Sequence, residues 1–256
     1  MTSTDQRAEE GSNAATLAVI TGASRGIGAA IAVAAASAGA TVAGCNRSAS
    51  SSAASHELIA DLSEPESWGA FARWYDGLVD ELSPQRCVVV HNAATLTPIG
   101  FAGEIDPAGY QANVLLNSAA PQVLGSAVIA TATRAQVPTV LVQLSSGAGR
   151  SPYAGWSSYC ASKAAVDMWV RSVGLEQATR GDLVRVLAIA PGVVATEMQA
   201  EIRASEGSAF PDVGRFQSMH AEGNLSDPGE VGARIWNYAT SDTWDNGAVA
   251  DLRELA

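Results

Sequence analysis

The stretch Leu17-Ala-Val-Ile-Thr21-Gly22-Ala-Ser-Arg-Gly-Ile-Gly28 decides the fold, because it has the pattern of a buried strand, a glycine loop and a helix start. Residues 17–21 are the predicted strand, and the alanine-rich residues 26–38 are the predicted helix. Glycines permit a tight turn and a close backbone approach, and a helix N-terminus offers N–H groups to a pyrophosphate. This order predicts a dinucleotide site with contacts from Gly22, Ser24, Arg25, Gly26, Ile27 and Gly28.

Along the rest of the chain, short β-branched runs alternate with longer helical stretches, which is typical of a parallel sheet covered on both faces. The predicted strands are residues 41–45, 57–60, 87–91, 139–144, 183–190 and 248–252, and the predicted helices are residues 65–81, 107–134, 157–179 and 228–241. The sequence therefore predicts an α/β fold, a single-domain Rossmann-type doubly wound parallel sheet of about seven strands. We expect this domain to span residues 14–256, after a disordered tail at residues 1–13.

Two segments depart from that regular alternation. Between Arg47 and His56 lie eight residues, whereas a parallel crossover normally needs a dozen or more with a helix among them. Either the crossover helix is nearly deleted, which we favour, or the third strand is poorly formed. Residues 196–224 are expected to be irregular or partly helical.

Composition excludes several functional classes. A net charge of −11 argues against a nucleic-acid partner and against an anionic membrane surface. No apolar run is expected to reach the 18 or so residues of a membrane helix. Three cysteines and three histidines lack metal-type spacing, so no metal site is predicted. Free cysteines and a polar N-terminus favour a reduced, cytoplasmic location.

The end of the second strand indicates which dinucleotide binds. A carboxylate there would hydrogen-bond the adenosine ribose and repel a 2′-phosphate. This chain instead has Asn46 and Arg47, with a second cation at Arg25. Two guanidiniums suit a phosphorylated ribose and predict NADP(H), although both could simply be solvated loop arginines. Asp61 and Leu62, which follow the third strand, are placed to contact the adenine.

The chain contains a single lysine, Lys163, against fourteen arginines, and Tyr159 lies one helical turn before it on the same face. Ser146 follows the strand at residues 139–144, at the sheet edge where ligands bind in open α/β folds. A hydroxyl, a phenol and an ammonium that converge there can polarise and protonate a carbonyl while a hydride attacks it. Each residue alone is more often structural, but the spacing, the strand end and the glycine loop together make the prediction specific.

With these motifs the chain resembles the short-chain dehydrogenase/reductase family over about residues 15–252. The resemblance rests on the TGxxxGxG loop, the Ser…Tyr-x-x-x-Lys set, and Pro191-Gly192-Val193 followed by Thr196. Within the family the chain is similar to the sepiapterin reductase and bacterial benzil reductase group. That similarity is carried by Ser146-Gly-Ala-Gly, Pro152-Tyr-Ala-Gly-Trp156, Pro191 through Gln199, and Asp251-Leu-Arg253.

The resemblance implies a role for each matching residue. Tyr159 is the expected general acid, and Ser146 is expected to polarise the carbonyl. Lys163 would lower the Tyr159 pKa and, with Tyr159, contact the nicotinamide ribose, while Asn117 would anchor a proton-relay water. Further cofactor contacts are expected from Asn92, Pro191, Gly192, Val194 and Thr196. The chain departs from the family at Ala94, where a glycine is usual beside the cofactor.

We therefore expect an NADPH-dependent carbonyl reductase that converts a ketone or vicinal diketone into a secondary alcohol. The alternatives are an NAD(P)-dependent alcohol dehydrogenase working in the oxidative direction and a non-catalytic NADP-binding sensor or scaffold. Trp156, Met198 and Phe216 could line an apolar substrate pocket or equally could be lid packing. By analogy with the family, we expect a homodimer or homotetramer through the long helices that carry Asn117 and Tyr159.

Overall fold

A computed structural model describes residues 16–49 and 53–255; the predicted tail at residues 1–13 lies outside them. Seven strands form one sheet in the order β3-β2-β1-β4-β5-β6-β7, and every neighbouring pair is parallel. The strands are β1 Thr16–Thr21, β2 Thr41–Asn46, β3 His56–Ile59, β4 Arg86–His91, β5 Thr139–Leu144, β6 Val184–Ala190 and β7 Ala248–Asp251. This architecture confirms the predicted Rossmann-type α/β fold.

Helices cover both faces of the sheet. They are α1 Gly26–Ser37, α2 Trp68–Leu82, α3 Pro107–Val114, α4 Ala120–Ala135, α5 Ser157–Ala178, α6 Glu197–Arg203, α7 Val213–Ala221 and α8 Pro228–Thr240. Leu17 and Val19 of β1 pack with residues of α2, α4 and α5, whereas Ala18 and Ile20 pack with residues of α1 and α8. Because successive strand residues point to opposite faces, β1 is apolar on both sides and lies inside the sheet between β2 and β4.

The described residues of the short connection between β2 and β3 agree with the favoured prediction, a nearly deleted crossover helix. β3 forms and pairs in parallel with β2, from Ala43 opposite His56 to Asn46 opposite Ile59. None of the described residues of the connection, 47–49 and 53–55, is helical. Over that described part, the crossover helix is missing and the strand is present.

One helical prediction needs correction. The helix predicted over residues 107–134 is interrupted by a π-helical turn at Leu115–Ala119. Pro121 lacks an N–H group and cannot donate to the carbonyl of Asn117 four residues earlier, so the regular hydrogen-bond ladder shifts there. The prediction that residues 196–224 are irregular or partly helical is confirmed, because this segment contains the short helices α6 and α7 with irregular chain between them.

The stretch Pro107–Ala135 is also long and apolar enough to cross a membrane by length and composition. The expectation that no run reaches that length is wrong here, because residues 107–133 contain no charged side chain. In the fold, α4 packs on α2 and β5, and its Leu124 and Val128 are buried in the core. Packing accounts for only part of the apolar composition, because 33% of the most apolar 18 residues of this stretch are buried.

Candidate active site

The carboxyl ends of the parallel strands meet at one edge of the sheet, and the glycine loop after β1 forms the floor of that edge. Gly22 and Gly26 have φ of 69° and 55°, a region that favours glycine. A Cβ on Gly28 would lie 2.1 Å from the Gly22 carbonyl oxygen, so the cradle closes only with glycine. No side chain caps the N-terminus of α1. Uncapped N–H groups beside a glycine cradle fit the pyrophosphate of a dinucleotide.

Asn92 ties the glycine loop to the end of β4. Its Nδ2 donates to the carbonyl oxygens of Thr21 and Gly22, both at 3.0 Å, and its backbone N–H donates to Thr21 Oγ1 at 3.0 Å. The neighbouring His91 is buried, and burial lowers its pKa to about 3, which leaves the imidazole neutral. Asn92 therefore holds the ends of β1 and β4 together at this edge, beside the predicted cofactor site.

The adenosine side of this edge holds more carboxylates than the sequence suggested. Asn46 Nδ2 donates to Glu57 Oε1 at 2.8 Å, because parallel pairing sets Glu57 beside Gly44 on the face that Asn46 shares. Arg25 pairs with Glu197 at the start of α6, while Arg47 is exposed. Both predicted phosphate-binding arginines are present at this edge, but Arg25 already has an acidic partner.

The two residues predicted to reach the adenine lie beyond β3. Asp61 Oδ1 accepts hydrogen bonds from the backbone N–H of Ser63 at 2.9 Å and from its hydroxyl at 2.6 Å. The Leu62 side chain is buried in the core on the α2 face of the sheet. An adenine contact from Leu62 would therefore involve its backbone, not its side chain.

Ser146 and Tyr159 face each other across the end of β5. Ser146 begins a 3₁₀ turn at Gly147–Gly149, and its Oγ accepts a hydrogen bond from Ala148 N–H at 3.2 Å. Tyr159 is only 7% exposed. Burial raises its pKa to about 12, although the hydrogen bond with Ser146 acts in the opposite direction. The phenol is therefore protonated at neutral pH, the form that a proton donor requires.

Lys163 is buried beneath that phenol. It is 4% exposed, its Nζ donates to the Leu144 carbonyl oxygen at 2.8 Å, and the same Nζ lies 5.5 Å from the centroid of the Tyr159 ring. Burial lowers the Lys163 pKa to about 8, and the nearby charge of Asp167 raises it. Lys163 adjoins Tyr159 as expected, but the Tyr159 pKa is raised, not lowered, because the phenol is buried.

Asp167 is a part of this cluster that we did not predict from the sequence. It lies one helical turn beyond Lys163 and is 4% exposed. Its Oδ2 would be 3.1 Å from a Cβ on Gly149, so it lies directly under the turn that begins at Ser146. Burial raises the Asp167 pKa, whereas the nearby Ser145 hydroxyl and the charges of Arg150, Arg171 and Lys163 lower it. The sequence signal that could have predicted Asp167 is an acidic residue four positions after the single lysine.

Asn117 occupies the π-helical turn behind the cavity. Its Oδ1 accepts from Thr95 N–H at 3.0 Å, and its Nδ2 donates to the Thr95 carbonyl at 2.7 Å and to Asn113 Oδ1 at 3.0 Å. Asn117 is buried and does not line the cavity itself. Its amide is held against the backbone of Thr95, which follows the cavity residue Ala94.

A cavity of about 180 Å³ opens at this edge, with Ser146, Tyr159 and Lys163 at its polar end. All three residues predicted for the substrate pocket line it, and Trp156 is backed by Phe210, whose ring stacks on it at 4.4 Å. Asn92, Ile27, Pro191, Gly192, Val194 and Thr196 also line the cavity. The lining residues that sequence reasoning missed include Leu96, Tyr153, Ile202, Arg215 and Arg253.

A short chain dehydrogenase family model matches residues 16–207, which include the glycine loop, Ser146, Tyr159 and Lys163. The chain belongs to this family, whose members are oxidoreductases that use a nicotinamide cofactor. The glycine cradle and the uncapped start of α1 fit such a cofactor. When bound, the nicotinamide supplies or accepts a hydride.

Within this family, the chain is similar to particular reductases. Over 247 residues the chain is 32% identical to benzil reductase ((S)-benzoin forming) of Bacillus subtilis, covering 93% of this chain and 99% of that protein. It is 31% identical to sepiapterin reductase of Rattus norvegicus, over 67% of this chain and 64% of that protein. The crystal structure of the KRED1-Pglu enzyme matches with a TM-score of 0.76 and 30% identity, covering 91% of this chain and 99% of that one. These similarities confirm the resemblance to the sepiapterin reductase and benzil reductase group.

The Asp167 geometry predicts that Asp167→Asn lowers the pKa of Lys163, because an anion near the ammonium favours its charged form. The chain has one lysine, so protein labelled with ¹³Cε-lysine gives a single side-chain NMR signal that reports this pKa directly. We expect a midpoint near pH 8 in the unmutated protein and a lower midpoint in the variant.

The matched control is Asp242→Asn, which removes an exposed carboxylate paired with Arg185. It should leave the Lys163 midpoint unchanged. An unshifted midpoint in folded Asp167→Asn would show that Asp167 does not act on the lysine.

Proposed function

We propose that the protein is an NADPH-dependent carbonyl reductase that transfers a hydride to a ketone or vicinal diketone and yields a secondary alcohol. One observation carries the proposal: a buried, protonated Tyr159 phenol beside Ser146 at the polar end of an apolar cavity. Hydride addition turns a carbonyl oxygen into an alkoxide, which needs a hydrogen bond as charge develops and a proton afterwards. The two hydroxyls can supply both.

In the proposed mechanism, Ser146 donates a hydrogen bond to the carbonyl oxygen and Tyr159 transfers its phenolic proton to that oxygen. The Lys163 ammonium, 5.5 Å from the ring centroid, stabilises the phenolate that remains. Asn117 and the Thr95 backbone lie behind the cavity, where they support a route for returning a proton to the phenol. A bound nicotinamide cofactor would supply the hydride, and the glycine loop would hold its pyrophosphate.

The direction of the reaction and the substrate class have separate support. A phenol that is protonated at neutral pH is in the form that donates a proton to a carbonyl oxygen, which supports a role in reduction. A binding protein without turnover would not need a buried lysine, tyrosine and serine at one cavity. The benzil reductase of Bacillus subtilis acts by its name on benzil, an aromatic diketone, and the walls formed by Trp156 and Phe216 suit an aromatic ring.

We predict that purified protein with NADPH reduces one carbonyl of a benzil-type diketone and that one enantiomer of the product dominates. A fixed proton donor and a fixed hydride side expose one face of the carbonyl. Cofactor oxidation followed by separation of the product on a chiral column measures both quantities. A racemic product, or activity confined to sugars or acyl thioesters, would contradict the substrate assignment.

The preference for NADPH over NADH is proposed from Arg47 at the end of β2 and Arg25 in the glycine loop. Charge-assisted contacts to a 2′-phosphate contribute about 1.5–3 kcal/mol each, so NADPH should bind more than about tenfold tighter. Glu57 and Glu197 oppose this preference, because each places a carboxylate near the same edge.

We predict that Arg47→Asp erases or reverses the preference, measured as dissociation constants from the fluorescence of the two reduced cofactors. Arg180→Asp, an exposed arginine just beyond the end of α5, is the control and should leave the ratio unchanged. Equal affinity for both cofactors in the unmutated protein would overturn the proposal.

We also propose a homodimer or homotetramer that pairs through α3, α4 and α5. In support, three large apolar side chains are exposed on these helices: Val123 at 47%, Met168 at 58% and Leu175 at 74%. The double variant Met168→Glu/Leu175→Glu should be monomeric by light scattering, whereas Val33→Glu, an exposed apolar position on α1, should retain the native mass. A monomeric unmutated protein would refute the proposal.

A further inference from the structure

The turn that follows β7 brings Arg253 into the wall of the catalytic cavity. Ala190 of β6 pairs with Asp251 of β7, and Leu252 N–H donates to the Ala190 carbonyl at 3.0 Å. This pairing sets the end of the chain against the turn at Pro191 and Gly192, which also lines the cavity.

Asp251 fixes the guanidinium of Arg253 in one orientation. Arg253 Nε donates to Asp251 Oδ1 at 2.9 Å and Nη2 donates to Oδ2 at 2.6 Å, while the Arg253 backbone N–H donates to Oδ1 at 3.0 Å. The Asp251 side chain is 2% exposed, whereas that of Arg253 is 60% exposed. A bidentate pair with a buried carboxylate gives the guanidinium a defined plane and leaves its outer side open.

The Arg253 side chain packs beside two glycines at the reacting end of the cavity. A Cβ on Gly192 would lie 3.4 Å from Arg253 Cγ and Cδ, and a Cβ on Gly147 would lie 3.8 Å from Arg253 Nη2. Gly147 directly follows Ser146. The Arg253 side chain therefore crosses from the end of β7 to the turn that carries the proposed carbonyl-binding hydroxyl.

The Arg253 N–H groups that do not contact Asp251 remain able to donate hydrogen bonds. Arginine has five N–H donors and no acceptor, and Asp251 takes two of them through the side chain. Because the Asp251 carboxylate already balances the charge, the pair is neutral overall and has no strong preference for a full anion. It can still donate hydrogen bonds to a neutral carbonyl oxygen.

We propose that Arg253 is a specificity-determining residue that binds the second carbonyl oxygen of an α-dicarbonyl substrate, on the carbon next to the one that is reduced. This inference rests on the proposed carbonyl reductase function. Ser146 and Tyr159 bind the reacting oxygen, and Arg253 binds its neighbour. The hydrogen bond from Arg253 also withdraws electron density from the second carbonyl. This makes the neighbouring, reacting carbon a better hydride acceptor, so the same contact binds the substrate and activates it.

The test compares two substrates of the same size, benzil and deoxybenzoin, which differ in the second carbonyl. The quantity measured is the ratio of kcat/KM for benzil to kcat/KM for deoxybenzoin, in which general damage to the active site cancels. We expect this ratio to fall at least about tenfold in Arg253→Met, as for loss of a hydrogen bond to a charged donor. Because Arg253→Met leaves a buried carboxylate without its partner, Asp251→Asn/Arg253→Met is measured as well and should give the same fall.

Arg150→Met is the matched control. Arg150 lies beside the same turn, 3.9 Å from Glu254, but does not line the cavity, so its loss should leave the ratio unchanged. If the unmutated enzyme reduces benzil and the ratio is unchanged in both Arg253 variants, the inference is wrong and the proposed function stands. If the unmutated enzyme reduces neither compound with NADPH, the proposed function fails, and the inference fails with it.

Discussion

The hydrogen bond from the buried Lys163 ammonium to the Leu144 carbonyl is the contact on which the site depends. It joins α5 to the end of β5, so Tyr159, one turn earlier on the helix, meets Ser146, two residues beyond Leu144. A buried cation is costly unless hydrogen bonds and opposite charge compensate it. The Leu144 carbonyl accepts a hydrogen bond from Lys163, and Asp167 supplies the opposite charge. Together they keep the charged lysine beside Tyr159, the proposed proton donor.

Most of the fold could be predicted from the sequence because its signals are local. The strand, loop and helix from Leu17 to Ser37 each depend on neighbouring residues, and so do the buried β-branched runs. Two features were missed although their signals are also local: the π-helical turn follows from the missing N–H of Pro121, and the long apolar stretch is visible in the uncharged residues 107–133.

The residues of the candidate site could also be predicted only in part. Ser146, Tyr159 and Lys163 could be predicted because spacing on one strand end and one helix face brings them together. Side chains that arrive from distant parts of the chain could not. Arg253 reaches the cavity only through the pairing of β7 with β6, and Glu57 reaches Asn46 only through the register of β3 with β2. A sequence motif records the residues that share one element, whereas specificity here also depends on contacts between elements.

The turnover of Lys163→Arg tests the central claim most directly, namely that a compact ammonium at this position is indispensable. Arginine keeps the charge, but its planar guanidinium is larger than the lysine ammonium. It should not fit where Nζ lies 2.8 Å from the Leu144 carbonyl oxygen and 5.5 Å from the centroid of the Tyr159 ring. The account predicts that diketone reduction with NADPH falls at least about a hundredfold while thermal unfolding shows an intact fold. Reduction by the folded variant at a near-normal rate would contradict the account.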